Sequence, residues 1–171
     1  MKRLIILGAG GYGRTVADVA AQCGEFDEIR FLDDGQTGGD ILGKCGDYRH
    51  CADENTWFYP AFGNNQARLN WIDTLVGEGF SVAAIVHTTA YVSPTAKIET
   101  GTVILPKAVV NTDCRILRGC IINLGAIVDH GCVIGEGAHI CLGAIIKAEN
   151  RIPAGMKIEA GEVVANRTYP L

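Results

Sequence analysis

Two histidines stand nine residues apart in the stretch IVDHGCVIGEGAHI, residues 127–140: His130 directly after Asp129, and His139 near the end. A neutral imidazole can take a proton from an attacking amine or hydroxyl, so His130 has the chemistry of a general base, with the Asp129 carboxylate on its flank. A second set of residues lies at the front of the chain. Gly8-Ala9-Gly10-Gly11-Tyr12-Gly13 matches G-x-G-x-x-G. In that pattern glycines let the backbone turn sharply and bring its amides against a diphosphate at a helix N-terminus. Asp33, twenty residues beyond Gly13, stands where such a domain holds a ribose hydroxyl.

Elements that could position the glycine loop alternate along the first half. KRLIILGAG is an apolar run ending in glycines, as a buried parallel strand does, and GRTVADVAAQCG follows with Val16, Val19 and Ala20 on one helical side and Gly24 as its stop. EIRFLDD reads as a second strand ending in Asp33 and Asp34. After a looser glycine-rich loop come TWFYPAF as a strand, NNQARLNWIDTLVGEGF as a helix and SVAAIV as a last strand. The alternation predicts a small parallel α/β sheet. It ends near Val86, too early for the second mononucleotide-binding half of a dinucleotide fold. Half a site suits one nucleoside with a diphosphate, such as a nucleotide-activated sugar; NAD and a purely structural glycine turn are the other two readings.

The second half follows a different rule. Stepping by six from Val92 to Val164 gives thirteen consecutive Ile or Val residues, and four places after each, from Ala96 to Ala144, stands Ala, Thr or Cys. A period of six fits neither a helix nor a simple strand. It fits a chain wound into a triangular prism, with a short strand on each side, a tight turn at each corner, the branched residue inside and the small residue at the corner. Three hexapeptides make an eighteen-residue coil, coils stack about 4.8 Å apart as parallel strands, and residues 92–163 make four of them. His130 and His139 are half a coil apart and so lie on different sides of the prism. Neighbouring prisms packed side by side would bring such sides together, which predicts a homotrimer with sites between subunits.

The formal net charge of −4 leaves no basic patch and argues against nucleic acid as a partner. MKRLIILGAGG has the basic start of a signal peptide, but Leu4–Leu7 is too short and a glycine loop follows where a cleavage site belongs. No run of about 18 apolar residues exists to span a membrane, and the chain reads as cytoplasmic. Seven cysteines contain no C-x-x-C pair, and reduced structural thiols are expected.

Taken together, ILGAGGYGR, FLDD, FGNNQAR, IVHTTAYVSPTAKI and INLGAIVDHGCVIGEGAHICLGA resemble the NeuD/PglD-type sugar acetyltransferases. These join a short Rossmann-like domain to a left-handed parallel β-helix and acetylate sialic acid or nucleotide-linked amino sugars with acetyl-CoA. The resemblance covers nearly the whole chain. It implies a Rossmann-like nucleotide-binding domain over 1–87 and a left-handed β-helix of about four coils over 88–171. It implies His130 as general base, Asn123 orienting the sugar acceptor, and His139 beside the acetyl group or the CoA arm. Ala148 falls where the family places a glycine amide that stabilises the oxyanion, and Gly143 belongs to the same CoA-facing set. Gly8, Gly10, Gly11, Tyr12 and Gly13 would line the diphosphate, and Asp33, Asp34, Asn64, Asn65 and Arg68 the rest of the nucleotide pocket. Where the family often sets a carboxylate after the base, this chain has Gly131, and Asp129 precedes it. Family members usually continue for further coils; here the small-residue positions become Asn150, Met156 and Glu162, so the last coil reads as a cap.

Amine against hydroxyl as acceptor stays open, with the nucleotide loop favouring a nucleotide-linked amino sugar. The alternative from another class is a non-catalytic nucleotide-sugar-binding or regulatory protein. A zinc-dependent β-helix carbonic anhydrase needs three histidines, and the helix domain holds only His130 and His139, so no metal is expected.

Overall fold

The computed structural model describes residues 1–170, which divide into two compact units, residues 1–83 and those from Ala84 onward. In the first unit the apolar runs form five parallel strands: β1 (Arg3–Leu7), β2 (Glu28–Leu32), β3 (Ile41–Gly43), β4 (Thr56–Pro60) and β5 (Ser81–Val82). Leu4–Leu7 of β1 are wholly buried, as a central parallel strand covered on both faces must be. Helices α1 (Gly11–Cys23), α2 (Tyr48–Cys51) and α3 (Asn65–Gly77) connect them. α1 buries Gly13, Val16, Val19 and Ala20 and stops at Gly24, whose φ of 68° closes it in the left-handed conformation. The strand order is β3-β2-β1-β4-β5, so the chain leaves β1 in one direction and β4 in the other. The C-terminal ends of these two strands are therefore the point where the strand order reverses, the usual ligand position in such sheets.

Two features of this unit differ from the sequence expectation. The loose glycine-rich loop contains β3, a 3-10 turn over Cys45–Asp47 and α2; elements of three or four residues are too short to show a period. SVAAIV is not one strand. Ser81–Val82 pairs with β4, whereas Ile85–Val86 pairs with Val103–Ile104 in the second unit. Val86 lies six residues before Val92, so it is already in phase with the hexad ladder.

The second unit is a left-handed parallel β-helix of fourteen two-residue strands. A first face stacks Tyr91–Val92, Val109–Val110, Ile127–Val128, Ile145–Ile146 and Val163–Val164. The second stacks Lys97–Ile98, Arg115–Ile116, Val133–Ile134 and Arg151–Ile152. The third stacks Ile85–Val86, Val103–Ile104, Ile121–Ile122, His139–Ile140 and Lys157–Ile158. Each strand pairs in register with the one eighteen residues on, as Val110 with Val128 and Val128 with Ile146. The second residue of each strand points inward, and from Ile104 to Ile152 these side chains are fully buried with the small residues Ala108, Cys114, Cys120, Ala126, Cys132, Ala138 and Ala144 packed among them. Each buried Val or Ile contributes about 1.5–3 kcal/mol, so the stack supplies its own core coil by coil. All seven cysteines are free.

Corners repeat as strictly as the strands. A left-handed backbone recurs every six residues from Gly101 to Arg167, on glycine at eight positions and on Lys107, Asp113, Glu149 and Arg167 at the others. Asp113, Gly131, Glu149 and Arg167 succeed one another along the corner between the first and second faces. Near the last coil, Asn150 takes a small-residue position and is wholly buried. Its Nδ2 donates to the carbonyls of Lys147 and Ala165, and its Oδ1 accepts the Tyr169 N–H. Tyr169 packs on the prism core, and its carbonyl accepts the Arg151 N–H at 2.7 Å. Asn150 and Tyr169 thus tie the turn at Lys147 to residues 165–169.

Candidate functional site

The glycine loop leaves β1 at its C-terminal end, where the strand order reverses. Gly8 has φ of 100°, and a Cβ on Gly13 would stand 1.9 Å from the Gly8 carbonyl oxygen, so helix and loop meet too closely for any side chain there. Gly10 and Gly11 face open space, with nothing within 4 Å of a built Cβ. No side chain caps the start of α1 and no acidic residue lies in its first turn, which leaves the positive end of the helix to an anion.

Asp33 ties this loop to β2. Its Oδ2 accepts the Ala9 N–H at 2.7 Å, while Oδ1 accepts the N–H groups of Gly35 and Gln36. These bonds, Ala9 foremost, hold its carboxyl below the usual carboxylate range. Asp34 is exposed and accepts the Cys45 N–H. Both aspartates line a cleft of ≈ 300 Å³ with Thr37, Lys44 and Asp47. The Tyr12 hydroxyl bonds that of Tyr59 at 2.8 Å, and burial pushes its phenol up to about 12.

Asn64, Asn65 and Arg68, expected in the nucleotide pocket, are all engaged in internal hydrogen bonds. Asn64 Oδ1 caps α3 by accepting the Ala67 N–H. Arg68 is 0% exposed, with its guanidinium donating to the Phe62 carbonyl and to Asn65 Oδ1. Arg68 with Asn65 braces the loop after β4 from within and presents no surface to a ligand, whereas Asn64 stays exposed at the start of α3. Sequence reasoning passed over Arg14, which sits 4.2 Å above the Phe31 ring, pairs with Asp40 and donates to the Ala9 carbonyl.

On the prism the expected residues form two groups. His130 is exposed at the corner between the first and second faces, and no hydrogen bond reaches its ring among the described residues. Ala148 stands one coil further along, as the Glu149 N–H bond to the His130 carbonyl at 3.1 Å requires. Ala148 is 5% exposed, and its own N–H has no partner among the described residues. Asp129 does not reach the imidazole by a hydrogen bond. Its Oδ1 accepts the His130 backbone N–H at 2.7 Å and Asn111 Nδ2 at 3.0 Å, which hold its carboxyl below the usual range. Asn111, eighteen residues before Asp129, is a partner of this carboxylate that the sequence reading missed.

The second group lies on and beside the third face. Asn123 Nδ2 and His139 Nε2 are 2.9 Å apart, Leu124 N–H donates to Asn123 Oδ1 at 2.8 Å, and Gly143 sits exposed at the corner stacked over this turn, its N–H on the Leu124 carbonyl. Asn123 therefore faces His139, while His130 belongs to another corner of the same chain. No cluster of three His, Cys, Asp or Glu suited to a metal ion occurs among the described residues, and no helix there is long and apolar enough to cross a membrane.

Residues 3–75 match the PglD N-terminal domain. Over 97% of its length the chain superposes on the acetyltransferase domain of PglB from Neisseria gonorrhoeae FA1090, with 30% identity, a TM-score of 0.89 and 92% of that chain covered. The same domain in complex with acetyl coenzyme A matches with a TM-score of 0.87. PerB from Caulobacter crescentus, in complex with CoA and GDP-perosamine, is 23% identical with a TM-score of 0.81, over 100% of this chain and 92% of its own; that likeness speaks to the fold alone. The PglB domain extends little beyond the matched length, so the further coils expected of relatives are not a feature of this one.

Proposed function

The chain belongs to the NeuD/PglD-type family of sugar acetyltransferases, and from that premise we propose that it acetylates the amino group of a nucleotide-linked amino sugar. It is an acyltransferase, and its acyl donor is acetyl-CoA. The observation that carries the residue assignment is the stacking of His130 and Ala148, an exposed imidazole with no hydrogen bond on its ring beside a backbone N–H with no partner among the described residues.

Bound acetyl-CoA supplies a thioester carbonyl. The Ala148 N–H suits the charge that develops on that carbonyl oxygen, since a fixed amide needs no reorganisation to meet it. His130 takes the proton of the acceptor amine as the N–C bond forms. As the C–S bond breaks, it returns a proton to the departing sulfur, so a free thiol leaves and the imidazole is neutral again. Asp129 holds the His130 backbone rather than its ring, and His139 with Asn123 serves the acyl donor from the third face.

The uncapped start of α1 and the open Gly10 and Gly11 support a diphosphate at this helix end, with Asp34 and Tyr12 beside it. PerB, which shares the fold, binds GDP-perosamine. A homotrimer with sites between subunits accords with the first face, where Tyr91, Val109, Ile127, Ile145 and Val163 form an outward apolar column that another copy would cover. Such a trimer would work in the cytoplasm, where acetyl-CoA and nucleotide sugars are at hand.

The test is to mix the protein with acetyl-CoA and a panel of UDP- and GDP-linked amino sugars together with sialic acid, and to follow thiol release. Turnover with a nucleotide-linked amine, lowered about 10²–10⁴-fold in kcat by His130→Ala, is the expected result. Turnover with sialic acid alone overturns the acceptor. A fully active His130→Ala overturns the base. Nucleotide-sugar binding without any turnover favours the binding protein instead.

A further inference from the structure

We propose that Asn123 is a positioning residue that fixes His139 as the neutral imidazole with its proton on Nδ1, making His139 a hydrogen-bond donor and leaving the base's task to His130. This rests on the acetyltransferase reading above and adds to it what holds His139 in one tautomer.

The argument begins at Leu124. Its backbone N–H can only donate, and it donates to Asn123 Oδ1 at 2.8 Å. That bond fixes which way the carboxamide faces, because the reversed amide would set an NH₂ group against an N–H. Asn123 Nδ2 is then the group 2.9 Å from His139 Nε2, and an amide NH₂ can only donate. The ring nitrogen it meets must offer a lone pair, so the proton of a neutral His139 is on Nδ1. An imidazolium would again face donor with donor.

The fold makes this pairing rigid. Asn123 directly follows the strand Ile121–Ile122 on the third face, and His139 opens the strand stacked upon it, with Ile121 in register with His139. Both side chains are half-buried, and the backbone on each side is held in the coil ladder. Nε2 cannot accept a proton from a substrate amine without giving up the Asn123 bond. The His130 ring carries no such bond among the described residues. What the Nδ1–H tautomer offers is one directed donor, and an acyl donor presents carbonyl oxygens as acceptors.

The experiment reads the tautomer directly. In the intact protein with ¹⁵N-labelled imidazoles, His139 is assigned by the signal lost in His139→Gln and recorded at about pH 8.5, above the ordinary imidazole range. A protonated Nδ1 with an unprotonated Nε2 is expected. Asn123→Asp presents only acceptors and should move the proton to Nε2; Asn123→Ala should release the ring to a mixture. Asn123→Asp should also lower kcat about a hundredfold, the scale of one lost transition-state donor, with the KM for the sugar little changed. A wild-type Nε2–H signal, an Nδ1–H signal that survives Asn123→Asp, or a moved proton with unchanged kcat each overturns the proposal. Because His130→Ala should lower turnover strongly yet leave the His139 tautomer intact, failure of the base assignment and failure of this inference are told apart.

Discussion

Asp33 reaches across from the end of β2 and holds the Ala9 N–H at 2.7 Å, so the acid that the sequence pattern assigns to a ribose is first of all a clasp on the glycine loop. Asp33→Ala removes the acceptor of three backbone N–H groups and should cost about 1–3 kcal/mol, read by thermal unfolding. The pH dependence has a definite sign. The folded-state carboxyl lies below its ordinary value, so its contribution is complete above about pH 5 and drains away as pH falls through the unfolded and then the folded value. Melting curves taken downward from that pH should fall more steeply in the wild type than in Asp33→Asn. Equal slopes would remove the clasp from the account.

Gly13 and Gly11 separate stability from binding. Gly13→Ala forces a methyl group to 1.9 Å from the Gly8 oxygen and should destabilise the first unit by on the order of 3 kcal/mol. Gly11→Ala meets nothing within 4 Å and should leave the melting temperature unchanged while weakening nucleotide-sugar binding, measured by calorimetry.

The first face should carry the assembly. Ile127→Glu puts a carboxylate in the middle of an exposed apolar column, and sedimentation should show the proposed trimer replaced by smaller species while the circular dichroism of the prism persists. A Lys97→Glu control on the second face, whose outward residues include Arg115 and Arg151, should leave the assembly unchanged.

How much of this was legible in the sequence depends on the range of the signal. The hexad ladder is written residue by residue, because each coil repeats the same demand for a branched side chain inside and a small one at the corner. Even Val86, missed as the start, is in phase with it. The glycine loop and its helix were readable for the same local reason. What escaped needs the fold. The Asn123–His139 contact spans sixteen residues and depends on knowing which strands stack. The Asn111–Asp129 bond spans one full coil. Arg68 has the residue type of a phosphate ligand, and only its complete burial reveals a brace. β3 and α2 are too short for any periodicity.

Asn150 should be the most sensitive polar residue of the prism. Asn150→Ala leaves the carbonyls of Lys147 and Ala165 and the Tyr169 N–H without their partner and should lower stability by about 2–3 kcal/mol. Hydrogen exchange should show the last coil opening first, with the first coils protected as before, because each repeat leans only on its neighbours. A uniform loss of protection would mean the prism unfolds as one block.

The corner that carries His130 resembles a railing with one missing post. Asp113 stands below, Glu149 and Arg167 stand above joined by an ion pair, and only Gly131 between them is bare. On the proposed reading of His130 as the base, the acceptor would meet the imidazole beside this gap, where Gly131 adds no side chain to the edge. A side chain set on Gly131 would fill that gap in ordinary contact with Glu149, its Cβ 3.6 Å from Glu149 Cγ, and would have to adopt a φ of 66°.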